Sequence, residues 1–320
     1  MYEILYEILI GKLMNPIVFH GELIQEILSN LSDVDKISLV KTCKLIYEYR
    51  KEISFDNYYE LTEFNFKEKI TKVIWQTHGS IPQNISRLIL YQYGGVSNSL
   101  PNLTHLTIEN YCSNPIDFSL FPSLISFRSG YYFNREIDSN LIPNLKYLSL
   151  GKYYSEKIDL SPFVFIRSLA TGKYFNGKID FSKFMFLRKL AIESSMLIDD
   201  GTLNRLTHLS LGKYFGHLID LTQLTSLTHL TLKNSFEKPI DLRTLTSLTN
   251  LTIKGGFNQK IKNILPSSLR YLTICASFSE SIRESVPSHV ELSIDLGKKH
   301  CPLLINSLKE LYPMTKINFV

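Results

Sequence analysis

Several things are scarce in this chain, and each shortage closes off a class of function. Of 320 residues only four are cysteine (Cys43, Cys112, Cys275 and Cys301), far apart and without a CxxC pair. A disulfide framework or a zinc site has no basis in that spacing, and reduced thiols are the simpler reading. No apolar stretch reaches the ~20 residues needed to span a bilayer, so no membrane partner is expected. The opening MYEILYEILIGKL carries Glu3 and Glu7 and has no basic n-region, which makes it a poor secretory signal. A cytoplasmic location follows as the expectation. The charge excess is small: 35 basic against 30 acidic residues, net +5. A dedicated nucleic-acid binder carries a stronger basic footprint, so nucleic acid is not the expected partner. HExxH, GxSxG, GxxxxGK and GxGxxG are all missing from the sequence, and the eight histidines are scattered. No catalytic residue, cofactor site or metal site is nominated, and an enzyme is not expected.

What the chain does have is repetition. The pattern L-x-x-L-x-L, with Ile, Phe or Val allowed for Leu, begins at Leu103, Leu124, Leu145, Ile166, Leu187, Leu206, Leu227, Leu248 and Leu269. The starts lie 21 residues apart, except for one interval of 19 after Leu187. A looser copy starts at Ile85 and a degenerate one at Ile70. Nine residues into the unit stands an aromatic (Phe133, Tyr154, Phe175, Phe215, Phe236, Phe257, Phe278), and thirteen in stands Ile (Ile116, Ile137, Ile158, Ile179, Ile219). An internal period of this length means a solenoid, because one unit cannot bury its apolar face alone. The last three residues of L-x-x-L-x-L alternate as a short strand does. Stacked units then form a parallel ladder, each turn adding about 4.8 Å. Twenty-one residues is a short unit, so the return path is predicted to be extended or 3₁₀ instead of fully helical.

An Asp follows the repeated Ile in most units: Asp117, Asp138, Asp159, Asp180, Asp220 and Asp241. A metal ladder needs several carboxylates per site. One Asp per turn fits better as an acceptor for backbone N–H groups of its own turn.

The positions one, two and four after each repeat start face outward from the ladder. From Thr104 to Thr273 none of them is Asp or Glu. Arg128, Lys146, Arg167, Arg188 and Lys189 form a basic middle, with Tyr147, His208, His229 and Arg270 among the other candidate target-binding residues. Adjacent turns add Lys152, Tyr153, Lys173, Tyr174, Lys213 and Tyr214. Two readings stand: a face for an acidic or phosphorylated protein segment, or strand-compatible residues inherited by repetition.

The first 60 residues do not repeat. Leu23, Ile24, Ile27, Leu28 and Leu31 recur at helical spacing, Ser32 and Asp33 break the pattern, and Ile37, Leu39, Val40, Cys43 and Ile46 form a second apolar stripe. The predicted class is α+β overall. A short helical module (1–60) is followed by degenerate first repeats (61–102), a parallel β solenoid (103–289) and a C-terminal cap (290–320).

Two resemblances rest on these residues. FNREID (133–138), FNGKID (175–180), FGHLID (215–220), FEKPID (236–241) and FNQKIK (257–262) resemble FNIP repeats, relatives of the leucine-rich repeat. The segment holding Glu22, Leu23, Glu26, Ile27, Leu28, Leu31, Asp35, Leu39, Cys43 and Lys44 resembles an F-box. It departs from that motif at His20, where Pro is usual, and at Ile46 and Tyr47, where Trp is usual. The two together resemble an architecture of giant amoeba viruses and of amoebae. The resemblance implies a Skp-type adaptor and a cullin as partners, with Leu23, Ile27, Leu28, Leu31 and Leu39 meeting the adaptor. The solenoid would hold a target protein, in the host cytoplasm if the chain is viral. A plain interaction scaffold, with the helices serving as a cap, is the alternative.

Overall fold

The computed structural model describes residues 31–36, 59–60, 72–75, 81–90, 96–109, 115–196, 203–215, 219–233, 241–254, 264–275, 286–295 and 317–319. Short strands follow one another along the chain. They are β1 (Tyr59–Glu60), β2 (Lys72–Trp75), β3 (Arg87–Leu90), β4 (His105–Ile108), β5 (Ser126–Arg128), β6 (Tyr147–Ser149) and β7 (Ser168–Thr171). The second half holds β8 (Lys189–Ile192), β9 (His208–Leu211), β10 (His229–Leu232), β11 (Asn250–Ile253), β12 (Tyr271–Cys275), β13 (Glu291–Asp295) and β14 (Ile317–Phe319). Every strand pairs in parallel with the one before it, giving one 14-stranded sheet in sequence order. The ladder runs past residue 289, because Val290 and Leu292 are buried and β13 pairs with β12 from Tyr271↔Glu291 to Cys275↔Asp295.

The register explains the repeat. Leu106, Phe127, Leu148, Leu169, Leu190, Leu209, Leu230, Leu251 and Leu272 stack in one buried row, with an outward residue on either side of each. That is the period-2 pleat read from the sequence. Helix among the described residues is limited to one turn at 33–36 and three 3₁₀ turns, Phe118–Leu120, Ser139–Leu141 and Phe181–Lys183. The α component of the predicted α+β class thus falls almost wholly outside the described residues, as do Leu23, Ile27, Leu28 and Leu39. Leu31 is described and half-buried.

The sheet is held between two turns in each unit. The leading turn opens three residues before the strand motif and closes on its first residue: Leu124 N–H donates to Phe121 O, Leu145 to Ile142 O, Ile166 to Phe163 O and Leu187 to Phe184 O, all within 3.2 Å. Pro122 and Pro143 occupy the first central position, where a fixed φ favours the turn. The trailing turn begins one or two residues past the strand: Tyr154 N–H donates to Gly151 O at 3.2 Å and Phe215 to Gly212 O at 3.2 Å. It points its two central residues outward and drives the aromatic that ends it into the core.

That aromatic row carries much of the packing. Phe118 meets Phe127 edge-on at 5.2 Å, Phe127 meets Phe133 at 6.1 Å, and Phe133 stacks on Tyr154 at 6.3 Å. Each such ring, fully buried, contributes about 1.5–3 kcal/mol from apolar area. Tyr154 is the odd member. Its hydroxyl is buried without a hydrogen-bond partner among the described residues, and burial pushes its acidity well down, the pKa upward. Phe stands in the same row at 133, 175 and 215. Tyr154→Phe is therefore expected to raise stability by about 1 kcal/mol, since it removes an uncompensated polar group at almost constant volume. Thermal unfolding checks it, and a lower Tm would show that the hydroxyl has a partner.

The 19-residue unit keeps the ladder intact, with Lys189↔His208 and Ile192↔Leu211 in register. Met196 fills the place of the aromatic and Leu203 the place of Phe184 one turn earlier, both buried. The two missing residues therefore come out of the return path between them, and the strand spacing is untouched.

The return path opens with the Asp series. Asp117 accepts from Ser119 N–H at 2.9 Å, Asp138 from Asn140 at 3.1 Å, Asp159 from Ser161 at 2.9 Å and Asp180 from Ser182 at 3.1 Å. Asp220 and Asp241 accept from Thr222 at 2.8 Å and from Arg243 at 3.0 Å. Each carboxylate is committed to its own turn, as a cap (Asp117, Asp138 and Asp180 cap the 3₁₀ turns).

At five of the six, these bonds favour the charged form. Side-chain hydrogen bonds from Ser119, Ser182 and Thr222 lower Asp117, Asp180 and Asp220, and the Ser161 N–H lowers Asp159. The Arg243 guanidinium brings Asp241 down to about 2. A carboxyl depressed in the folded state stabilises fully above its unfolded value of about 3.9, and that contribution disappears as pH falls through the folded value. Stability is expected to decline from about pH 4 toward pH 2, and Asp220→Asn to flatten the decline. Denaturant midpoints measured across that window check it; an unchanged pH slope in Asp220→Asn would contradict it.

Candidate protein-binding face

The outward positions of the strands form continuous rows along the sheet. One row runs His105, Ser126, Tyr147, Ser168, Lys189, His208, His229, Asn250, Tyr271, and the next runs Thr107, Arg128, Ser149, Ala170, Ala191, Ser210, Thr231, Thr252, Thr273. The residues just before the strands add a third row: Thr104, Ile125, Lys146, Arg167, Arg188, Thr207, Thr228, Thr249, Arg270. Its members are linked turn to turn by backbone bonds, Arg167 N–H to Lys146 O at 2.8 Å and Arg188 N–H to Arg167 O at 2.9 Å.

The structure brings together most of the basic residues picked out from the sequence. Lys146, Arg167 and Arg188 follow one another in one row, Lys189 sits beside Arg188, and Arg128 stands opposite Ser149, diagonal to Tyr147. Arg128, Tyr147, Arg167, Arg188 and Lys189 are exposed, and Lys146 is half-buried. Arg188 also donates to Leu187 O at 3.0 Å, which limits how its guanidinium can swing. Arg270 does not join them. Three threonine turns separate it from Arg188, roughly 19 Å at 4.8 Å per turn, and Glu291 follows beside it, its N–H bonded to Arg270 O at 2.7 Å. Glu291 also brings an acid into the outward row at β13, beyond the acid-free stretch.

A shallow trough of about 480 Å³ lies over β4 to β7, bordered by His105, Thr107, Arg128, Tyr147, Ser149 and Ala170. Its floor is low because Ser149 and Ala170 are small where Arg128 is not.

His208 and His229 stack face to face, with centroids 4.2 Å apart and planes 4° from parallel. Each Nδ1 lies 2.9 Å from the hydroxyl of the preceding Thr, Thr207 or Thr228. Those hydroxyls spend their single hydrogen on the carbonyl of the turn before, at 3.1 and 2.9 Å. With that hydrogen on the carbonyl, Nδ1 is the donor to the hydroxyl oxygen. Burial lowers His208, and the neighbouring His229 and Lys189 lower it further. The pair stands at the end of the basic cluster, next to Lys189.

The trailing turns form a rim of tyrosine and lysine. Tyr132 stacks on Tyr153 at 5.1 Å and Tyr153 on Tyr174 at 5.0 Å, with Tyr131 edge-on to both Tyr132 and Tyr153. Lys152 donates to the Tyr131 hydroxyl and lies over its ring, and Lys173 sits over Tyr214 at 3.9 Å. The hydrogen bond to Tyr131 raises Lys152, bonds to Tyr174 and Tyr214 raise Lys173, and Lys173 in turn lowers Tyr214. Tyr131 and Tyr132 escaped the sequence reading because their unit has Tyr where the others have Lys-Tyr; the shared distance from the repeat start was the signal.

This rim exists because the residue before it is glycine. A Cβ on Gly151 would stand 1.8 Å from Gly130 O, and one on Gly172 would stand 1.9 Å from Gly151 O. Further along, Gly212 leaves room for the Glu193 carboxylate, which passes over it to an ion pair with Lys233 at 2.7 Å, two turns away.

Chemically, the face can accept carboxylates or phosphates from a partner lying on it. Among the described residues no group of three or more His, Cys, Asp or Glu could hold a metal ion, and no helix is long and apolar enough to cross a membrane.

No protein-family profile matches the chain. It is 33% identical over 104 residues to a putative F-box protein of Acanthamoeba polyphaga mimivirus, an alignment covering 31% of this chain. The chain spans about half the length (51%) of that curated relative. Among solved structures it is similar to three Listeria monocytogenes internalins. InlF gives a TM-score of 0.48 at 19% identity, covering 74% of each chain. InlJ gives 0.42 at 16% identity over 74% of this chain and 58% of its own, and InlC2 gives 0.42 at 15% over 54% and 81%.

Proposed function

We propose that this protein is the target-recognition subunit of a Skp–cullin–F-box-type ubiquitin ligase built on FNIP-type repeats. The residues near 17–50 dock on the adaptor, and the outward face of the sheet holds the target. The protein positions the target and does no chemistry itself. The observation that carries the binding half is the acid-free face from β4 to β12, with its basic cluster and flanking rims. Support for the adaptor half is the F-box-like text around Leu23, Ile27, Leu28, Leu31 and Leu39, together with the similarity to a viral F-box protein.

The second reading, a scaffold whose N-terminal helices cap the solenoid, differs in where those leucines and isoleucines go. The test is co-purification of the full chain with a eukaryotic Skp-type adaptor and cullin, beside a Leu23→Asp, Ile27→Asp variant. Capture by the wild type, and at least a tenfold loss in a variant that keeps its Tm, is the expected result. Failure of the wild type to capture the adaptor in low salt and reductant would leave the scaffold reading.

A further inference from the structure

The leading turn shows where the solenoid departs from its own rule. Its two central residues are Gln83-Asn84, Pro101-Asn102, Pro122-Ser123 and Pro143-Asn144 in the early units. They are Asn204-Arg205, Thr225-Ser226, Thr246-Ser247 and Ser267-Ser268 in the later ones. Between them, at two successive turns, stand Val164-Phe165 and Met185-Phe186. All four are exposed, at 43%, 46%, 60% and 46%, and the two Phe rings stack at 6.1 Å. The turn itself does not call for them: the same i to i+3 bond closes at Leu124 over Pro-Ser and at Leu206 over Asn-Arg. Neither does the core, because the buried row beneath is filled by Phe163, Ile166, Phe184 and Leu187. Four large apolar groups side by side on water mark a contact surface more often than scattered single ones do.

Their neighbours state what the contact is. Phe165 and Phe186 are each two residues from Arg167 and Arg188, with Lys146 one turn before and Lys189 beside. The strand positions next to them are free of acid and include Ser168, Ala170 and Ala191, which leave the sheet low there. Behind the leading turn a small cavity of about 230 Å³ opens beside Met185, lined by Phe184, Leu203 and Arg205. Apolar anchor, cationic row and low floor lie within two turns of the solenoid.

We infer that the units at 164–170 and 185–191 form the specificity site for an acidic segment of the target that carries a bulky apolar side chain, aromatic or leucine. The carboxylates lie along Lys146, Arg167, Arg188 and Lys189, and the apolar side chain seats on Phe165, Phe186 and Met185. This deepens the reading of the sheet as a target-binding face and rests on it.

The experiment uses the full chain as bait for a random 14-residue peptide library displayed on phage, in low salt. A parallel selection uses a Phe165→Asn, Phe186→Ser variant, residues that other units carry at the same places. Enriched peptides are then made with a fluorophore and titrated. The expected consensus is acidic with one aromatic or leucine. Its affinity falls at least about tenfold in the variant, as loss of aromatic anchors does, and by a similar factor when the apolar residue becomes Ala. The variant keeps the wild-type Tm, since both rings are on the surface. Acidic peptides indifferent to the Phe pair would overturn the inference and leave the acidic-target reading standing. Peptides without acidic bias, or no enrichment, would overturn both. Sedimentation of wild type and variant covers the remaining occupant: a dimer that the substitutions dissolve would assign the patch to a second copy of the chain and reject the inference.

Discussion

Replacing Gly151 or Gly172 by alanine is expected to cost about 3 kcal/mol or more, beyond the ordinary overpacking penalty at its upper end. The added methyl has nowhere to go. It would sit at 1.8 Å from the carbonyl oxygen of Gly130, or 1.9 Å from that of Gly151, and in both cases the obstacle is backbone. Relief requires neighbouring turns to move apart by more than 1 Å, which strains the ladder bonds between β5, β6 and β7. In a solenoid each turn contacts its neighbours alone, so the damage concentrates at one interface. A two-step unfolding curve, or protease cleavage near residues 150–175 with the distal turns still folded, is the signature. Gly130→Ala should be milder, with Glu109 O at 2.4 Å. Gly212→Ala should be milder still, because its closest obstacle is the Glu193 side chain. The cost there includes a half-buried ion pair with Lys233, worth up to about 1 kcal/mol. Equal effects at all four glycines, or a shift under about 1 kcal/mol at Gly151, would show that the stack relaxes freely.

The second large effect concerns binding. Arg167→Glu, Arg188→Glu and Lys189→Glu together are expected to weaken binding of an acidic target segment at least a hundredfold with no loss of stability. Each exposed pair is worth about 0.5–1 kcal/mol, and reversal replaces attraction with repulsion of similar size. Summed over three positions in one patch this reaches about 3–6 kcal/mol before salt screening. None of the three side chains packs into the core, and the row beneath is filled by Ile166, Leu187 and Leu190. Fluorescence titration with an acidic peptide at two salt concentrations measures it, with Arg270→Glu as comparison. Arg270 lies outside the cluster and beside Glu291, so its reversal should change affinity less than threefold. Unchanged affinity in the triple variant would sink the acidic-target reading and leave the bias of the face to repetition.

Much of the fold was legible because the signal was a period. L-x-x-L-x-L every 21 residues can be satisfied only by stacking, so the parallel ladder, its buried rows, the inward aromatic and the Asp turns could all be read from one dimension. The 3₁₀ returns followed from the shortness of the unit. Other features were not legible, because they depend on which turn lies against which. The sequence shows Gly at four trailing turns, but the 1.8 Å approach that forbids a side chain belongs to pairs of turns 21 residues apart. His208 and His229 share a phase in the repeat; their 4.2 Å stacking and the Nδ1 donor role set by the Thr hydroxyls needed coordinates. Arg270 matched the pattern of the basic residues, and distance along the axis removed it from them. Phe165 and Phe186 stand where other units carry Asn, Ser or Arg, and the leading turn brings them side by side to solvent. Repetition alone dictated the sheet and its buried rows, because burial is a property of position within the unit. Which charges, rings and anchors become neighbours on its surface was decided by the stacking of unlike units, which no single unit contains.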